Sequence, residues 1–498
     1  MRRLLAAAVI LVPAAVSLLL PALLMGSRLD AYTPAWSDEI VYWHSALTFS
    51  QVGFDGGYYT HAEQPAPAAF SHFDTHGPWF SMLLGGIARL AGWYPQSVPF
   101  LNLLLLTAAL ALFVWFTRPD ARQLLFTGLL MLVFWPVLLY APSSMQEGLH
   151  QAAAVALAGL FFIRLTQGEN TPRRVLLAAA ALIALVALLR LTWALLFLPL
   201  LAYGSGRARQ VRLLLAGAGF VAAFLLFQWL GAPYPYNFTT RLLPILAASP
   251  AEGLSIWLRQ FVGNLRRLTL GEPLEIALRF QVFLLVAALL IGRASASRAL
   301  VRARRWLFGG SRLPAGEAGF HLVNLGLLLT LNLALYDIFA WRDYRVLAPH
   351  LLLSALLLIA FRRLRLAGLL IATGALLLPA FLATYRDLHR AHFNADRAEI
   401  AAFASTLEAH VRYQPGAPNA WCNTILTDDL PPLLLGIPPG VGFSVDSTMA
   451  LVGLPPRSRY LLLKPENAAR AVETAPLRRL ESLPERDLYL NETAECAE

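Results

Sequence analysis

The amino-acid sequence predicts a polytopic α-helical membrane protein of about eleven spans with a small C-terminal α/β domain. Three observations predict it. Of 498 residues, 57% are hydrophobic and 14% charged, with mean hydropathy +0.57, whereas a soluble domain carries about 25% charged residues. Apolar runs close to the roughly 20 residues that cross a bilayer recur along the first three quarters of the chain. Beyond residue 384 the charge rises and the apolar runs shorten.

The expected spans are 4–25, 98–117, 122–141, 148–165, 175–190, 192–204, 212–230, 276–292, 319–340, 346–361 and 366–384. With so many runs following it, the first is expected to remain as a span rather than leave as a signal peptide. The fifth and sixth runs are short, and their summed length favours two segments parted near Arg190-Leu-Thr192 over one kinked helix. The net charge of +10 is almost all arginine; Lys464 is the lysine. The arginines flank the apolar runs, where they set orientation, so nucleic acid is not expected as a partner.

With Arg2 and Arg3 inside, eleven spans place every short basic turn on the same side: Arg118 and Arg122; Arg173 and Arg174; Arg207, Arg209 and Arg212; the cluster from Arg293 to Arg312; and Arg362, Arg363 and Arg365. The exceptions are Arg259, Arg266 and Arg267. Apolar positions recur there at helical spacing, so 253–270 reads as an amphipathic helix on the outer surface. The expected location is the inner or plasma membrane, with the N-terminus cytoplasmic and the C-terminus extracytoplasmic.

Three stretches then face outward: 26–97, 231–275 and 385–498. The first holds the acid pair Asp38-Glu39, a helix over 40–49, a Gly- and Pro-rich loop and an amphipathic segment over 79–93. The last, expected to fold as a domain of its own beside a membrane domain of 1–384, reads as strands at 423–427, 441–445 and 460–463 and helices at 396–410 and 466–474. Cys422 and Cys496, the two cysteines, both fall in this tail, outside any metal-ligand spacing. An oxidising compartment would allow them to pair. The absence of an internal repeat weakens a transporter built from inverted halves.

Four polar sites interrupt the outward side. Asp38 and Glu39 stand beside three aromatics at the water edge of the first span, where unpaired acids are costly and mark function; alternatively Ser37 and Asp38 cap a helix. His76, in Thr75-His-Gly-Pro-Trp79, is either a contact to phosphate or metal or a helix-start histidine. Glu147, in Ser143-Ser-Met-Gln-Glu147, either serves a site or favours a helix N-terminus. Arg190, Arg342 and Arg345 sit at outer span ends, to bind an anion or to snorkel to headgroups. Acids with arginines suit a phosphate leaving group and a base for a hydroxyl.

These stretches resemble the motifs of the GT-C class of integral-membrane glycosyltransferases, which includes the protein O-mannosyltransferases and the aminoarabinose transferases of lipid A. Trp36-Ser-Asp-Glu39 is similar to the acidic motif of that class's first outer loop. Thr75-His-Gly-Pro78 is similar to the loop before its second juxtamembrane helix, without the first proline that many members carry. Pro142 to Glu147 falls where the class places a second acidic site. Leu189-Arg-Leu-Thr-Trp193 and Tyr344-Arg-Val-Leu-Ala-Pro349 are similar to its Arg-Pro-Thr and Arg-Tyr-x-x-x-Pro stretches, the former with leucine for proline.

The resemblance implies a polyprenyl-phosphate sugar donor and transfer with inversion to a hydroxyl of a lipid, glycan or protein acceptor. Asp38 would be the base. Glu39 would hold the acceptor or a metal, and Glu147 would support a metal or orient the acceptor. Arg190, Arg342, Arg345 and His76 would bind the donor phosphate. Members differ in their use of a divalent cation, so Asp38, Glu147 and His76 stand as its ligands only if one is used. A lipid-linked glycan flippase and a non-catalytic assembly subunit are the alternatives; mid-span regions almost clear of charge favour an enzyme over a flippase.

Overall fold

The computed structural model describes the chain apart from residues 69–71, 75, 203–205, 233–237, 294–297, 309–312, 336–343, 447–454 and 497–498. Each of the eleven expected spans falls largely on helix among the described residues; 203–204 and 336–340 lie outside them. Seven helices are long and apolar enough to cross a membrane: Arg2–Met25, Ser97–Thr117, Glu147–Asn170, Arg207–Leu230, Pro273–Arg293, Ala315–Ala334 and Leu364–Asn394. The other four runs lie on shorter or broken helices, for local reasons. Asp120 caps Ala121–Val133 by accepting from the Gln123 N–H, and that helix stops at Phe134, just before Trp135–Tyr140, where Pro136 has no N–H to continue the ladder. Helix Arg173–Leu189 ends at Arg190, whose backbone is extended, and a 3₁₀ turn, Leu191–Leu196, follows. The expected two segments are therefore present, and the arginine sits on the break between them. Gly26, at φ +67°, closes the first helix in the left-handed conformation that glycine adopts without strain.

The chain gathers into two compact units. One comprises Met1–Leu29, Pro99–Ala223 and Tyr236–His389; the other comprises Asp30–Val98, Phe224–Pro235 and Arg390–Glu498. The first outer loop thus shares a unit with the C-terminal stretch, which differs from a division at residue 384.

The first unit is helical. Its π-helical turn, Leu322–Leu327, interrupts the helix that begins at Ala315. The expected amphipathic helix is Pro250–Arg267, tied by Trp257 Nε1 to Ala334 O and by Asn264 Nδ2 to Leu333 O.

The second unit holds a six-stranded sheet in the order β1-β3-β2-β4-β6-β5. Its strands are β1 Thr60–His61, β2 Thr424–Thr427, β3 Gly442–Val445, β4 Tyr460–Leu463, β5 Leu477–Ser482 and β6 Asp487–Asn491. The first four are parallel, and β6 runs antiparallel to both β4 and β5. Leu426, Leu461, Leu463 and Tyr489 pack against Ala468 and Ala471 of helix Pro465–Thr474. The three expected strands and two expected helices of the tail are present within a residue or two. β1 comes from the Gly- and Pro-rich loop. It is admitted to the sheet by glycines: a Cβ on Gly57 would stand 1.8 Å from Asn423 O, and one on Gly442 would stand 2.3 Å from the Gly57 backbone. Cys422 and Cys496 form a disulfide.

Candidate functional site

In the second unit, helix Ser37–Val52 starts after Trp36, whose backbone is extended and whose side chain makes no cap hydrogen bond. Neither Ser37 nor Asp38 is the capping residue. Glu39 satisfies the helix start from within, accepting from the N–H groups of Ala35 and Trp36, each at 3.1 Å. Its carboxylate also accepts from the Tyr32 hydroxyl at 2.5 Å and pairs with His392 Nε2 at 2.7 Å. Tyr32 stacks on the His392 ring, and Trp36 meets it edge-on. Glu39 and His392 are sealed from solvent. Burial alone would raise the Glu39 pKa, but the charge and hydrogen bond of His392 and the bonds from Tyr32 and Trp36 outweigh it, holding the carboxyl below its ordinary value. Asp38, one residue earlier in the same first turn, is only half-buried. The adjacent acids therefore have different surroundings.

His76 lies in the turn before helix Trp79–Ala91, whose start is shaped by Gly77 at φ +67°. Asp74 accepts from the His76 backbone N–H at 2.8 Å and pairs with Nδ1 at 3.1 Å. A carboxylate on Nδ1 holds a proton at that nitrogen and orients the ring. Tyr42 meets the imidazole edge-on, and both line a small cleft with Ser45, Tyr59, Phe73 and Asp74. Thr75 lies outside the described residues.

In the first unit, Glu147 opens helix Glu147–Gln167 and is almost fully buried. The turn before it is held by Asn102, whose Nδ2 donates to Ser143 O. Glu147 Oε1 lies 2.8 Å from Arg190 Nη2 and 3.8 Å from Arg345 Nε. Arg190 Nη1 also donates to the Arg345 carbonyl at 3.0 Å. Oε2 of Glu147 is buried and has no hydrogen-bond partner among the described residues. Glu147 thus faces two guanidinium groups, and the side chains of Arg190 and Arg345 are still 12% and 26% exposed. Such a fork accepts an oxyanion through charge-assisted hydrogen bonds. Arg342 lies outside the described residues.

The structure thus brings Glu147, Arg190 and Arg345 together, gives His76 an aspartate and gives Glu39 a histidine. Asp74 carried a sequence signal, two residues before a histidine. His392 carried none, being 353 residues from its partner. Also unforeseen are His150, His321 and His350, buried within apolar helices that read as clear of charge. Among the described residues, no three His, Cys, Asp or Glu side chains are grouped to hold a metal ion.

No protein-family model and no curated protein matches the chain. Among solved structures, it is similar to ArnT from Cupriavidus metallidurans bound to undecaprenyl phosphate, at 15% identity over 97% of each chain and a TM-score of 0.45. The apo state of that protein aligns at 14% identity over 97% of this chain and 96% of that one, with a TM-score of 0.42. The Archaeoglobus fulgidus oligosaccharyltransferase tethered to an acceptor peptide aligns at 12% identity over 98% of this chain and 74% of its own, with a TM-score of 0.46.

Proposed function

We propose that this integral membrane protein is an inverting glycosyltransferase that moves a sugar from a polyprenyl-phosphate donor to an acceptor hydroxyl on the outer side of the membrane. The observation that carries the reading is the fork of Arg190 and Arg345 on buried Glu147 within a helical unit. Arginines among apolar helices are costly and mark places where a polar or anionic group is bound. Charge-assisted bonds to phosphate are about twice as strong as neutral ones.

In the proposed reaction Asp38 accepts the proton of the acceptor hydroxyl as its oxygen attacks the anomeric carbon. The bond from that carbon to the phosphate oxygen breaks, and its electron pair leaves on polyprenyl phosphate. Arg190 and Arg345 neutralise the charge that develops there. Attack opposite the leaving group inverts the anomeric centre. Glu39 is a positioning residue: with its oxygens taken by Tyr32, His392 and two backbone N–H groups, it holds the turn that presents Asp38. Glu147 holds the two arginines at one spacing. A disulfide between Cys422 and Cys496 supports an extracytoplasmic tail.

The test is sugar transfer from radiolabelled polyprenyl-phosphate sugars in membranes, resolved by thin-layer chromatography. Transfer by the wild type that is lost in Asp38→Asn supports the reading. Glycan translocation that is unaffected by Asp38→Asn, with no transfer product, would identify a flippase instead.

A further inference from the structure

Below the arginine fork, the first unit contains a chain of polar side chains that the reaction does not use directly. Thr192 Oγ1 lies 3.4 Å from His350 Nε2, and His350 Nδ1 lies 2.7 Å from Asn324 Oδ1. Asn324 Nδ2 donates to Ser354 Oγ and to the His350 carbonyl, each at 2.8 Å. Ser354 Oγ lies 3.0 Å from His321 Nδ1. Trp193 stacks on His350 with ring centroids 4.3 Å apart. His321, Asn324, His350 and Ser354 are each at most 1% exposed.

The hydrogen bonds around Asn324 and His350 have a determined direction. The Asn324 amide already donates twice through Nδ2, so Oδ1 must accept, and His350 Nδ1 carries the proton. In a neutral imidazole Nε2 is then an acceptor, which takes the Thr192 hydroxyl proton. Ser354 Oγ accepts from Asn324 Nδ2 and is hydrogen-bonded to His321 Nδ1. These bonds join the side chains from Thr192 to His321, whose Nε2 has no hydrogen-bond partner among the described residues, and a buried hydrogen-bonded network favours one packing of the elements that carry it.

Those elements carry the fork. Thr192 is two residues after Arg190 on the 3₁₀ turn, and His350 is on the helix whose first turn holds Arg345, Tyr344–Ala360. Asn324 belongs to the π-helical turn Leu322–Leu327, an irregularity that recurs at functional sites. Resting on the phosphate reading above, we infer that His350, with Thr192 and Asn324, is a positioning residue that sets the separation of the Arg190 and Arg345 guanidinium groups and thereby the affinity for a lipid phosphate. The link from His350 to Arg190 runs through Nε2 and Thr192; the link to the π-helical turn runs through Nδ1.

The two links can be cut separately in the full-length protein in detergent, with binding of undecaprenyl phosphate as the readout and undecaprenol, which lacks the phosphate, as control. A glutamine amide reaches the place of Nε2, and an asparagine amide the place of Nδ1. His350→Ala is expected to weaken undecaprenyl phosphate binding by about tenfold or more, as small misplacements of binding groups do. His350→Gln should recover most of the loss, and His350→Asn little, with equal melting temperatures in the two. Where His350→Ala fails to fold, the comparison of His350→Gln with His350→Asn decides. Equal binding by these two variants, or wild-type affinity in His350→Ala while Arg190→Ala binds poorly, would overturn the positioning role and leave the phosphate reading standing. Wild-type affinity in Arg190→Ala would overturn the phosphate reading, and this inference with it.

Discussion

Glu39 and Glu147 are both buried glutamates in the first turn of a helix, yet they are partnered in opposite ways. Glu39 is saturated: two backbone N–H groups, a tyrosine and a histidine take its oxygens. Glu147 shares one oxygen between two arginines and keeps the other without a hydrogen-bond partner among the described residues. A saturated carboxylate is suited to holding backbone in place. A carboxylate shared by two guanidinium groups brings them together, where an anion can meet both. Burial alone therefore does not identify a reactive acid; the count and charge of its partners do.

The largest expected effect tests the acid that Glu39 positions. Asp38→Asn should lower single-turnover transfer by about 10²–10⁴ at saturating donor, with unchanged donor binding and melting temperature. Because Asp38 is not the capping residue, the helix Ser37–Val52 should survive the change. Wild-type transfer by this variant would make both members of the pair structural.

Glu39→Ala should act on folding. It strands buried His392 beside an emptied site, and breaking a buried pair costs about 3–5 kcal/mol. The folded pKa of Glu39 lies below its ordinary 4.5, so its stabilisation is present above that pH and is lost as pH falls through the folded value. Hydrogen exchange over residues 30–52 should therefore accelerate on acidification below about pH 4.5 in the wild type, and Glu39→Gln should flatten that dependence. An identical acid response in the variant would break the contrast between the two glutamates.

Arg190→Ala should reduce affinity for the donor lipid by roughly tenfold to a hundredfold, as loss of a hydrogen bond to a charged group does. Glu147→Gln should cost less, since its amide oxygen can still accept from Arg190 Nη2. Titration of both variants with undecaprenyl phosphate ranks them, and the reverse order would mean that Glu147 rather than the arginines meets the ligand. The smallest effect is expected of Arg190→Lys, which keeps the charge but loses the planar fork. Affinity between those of the alanine variant and the wild type is the expected result, and full recovery would reduce the fork to a point charge.

The spans were legible because hydropathy is a local property, summed over about 20 residues without knowledge of any partner. The same holds for the inner strands β2, β3 and β4, which are short apolar runs between turn residues. Strand β5, Leu-Arg-Arg-Leu-Glu-Ser, was not legible: it lies at the sheet edge with most of its side chains near solvent, so no apolar run marks it. β1 was hidden because two residues of a glycine-rich loop become a strand only where Gly57 meets Gly442. The histidines at 150, 321 and 350 were read over because single polar residues barely change the mean of an apolar window.

What the sequence determined by itself is where helices and inner strands lie, that two runs part near Arg190, and which acids and arginines stand out against apolar surroundings. What the tertiary structure alone decided is how each of those charges is satisfied. Glu39 is silenced by a histidine 353 residues away, while Glu147 is joined to Arg190 across 43 residues and shares Arg345 with it. Hydropathy is additive along the chain, whereas the state of a buried charge depends on groups within a few ångströms, and only folding chooses which groups those are.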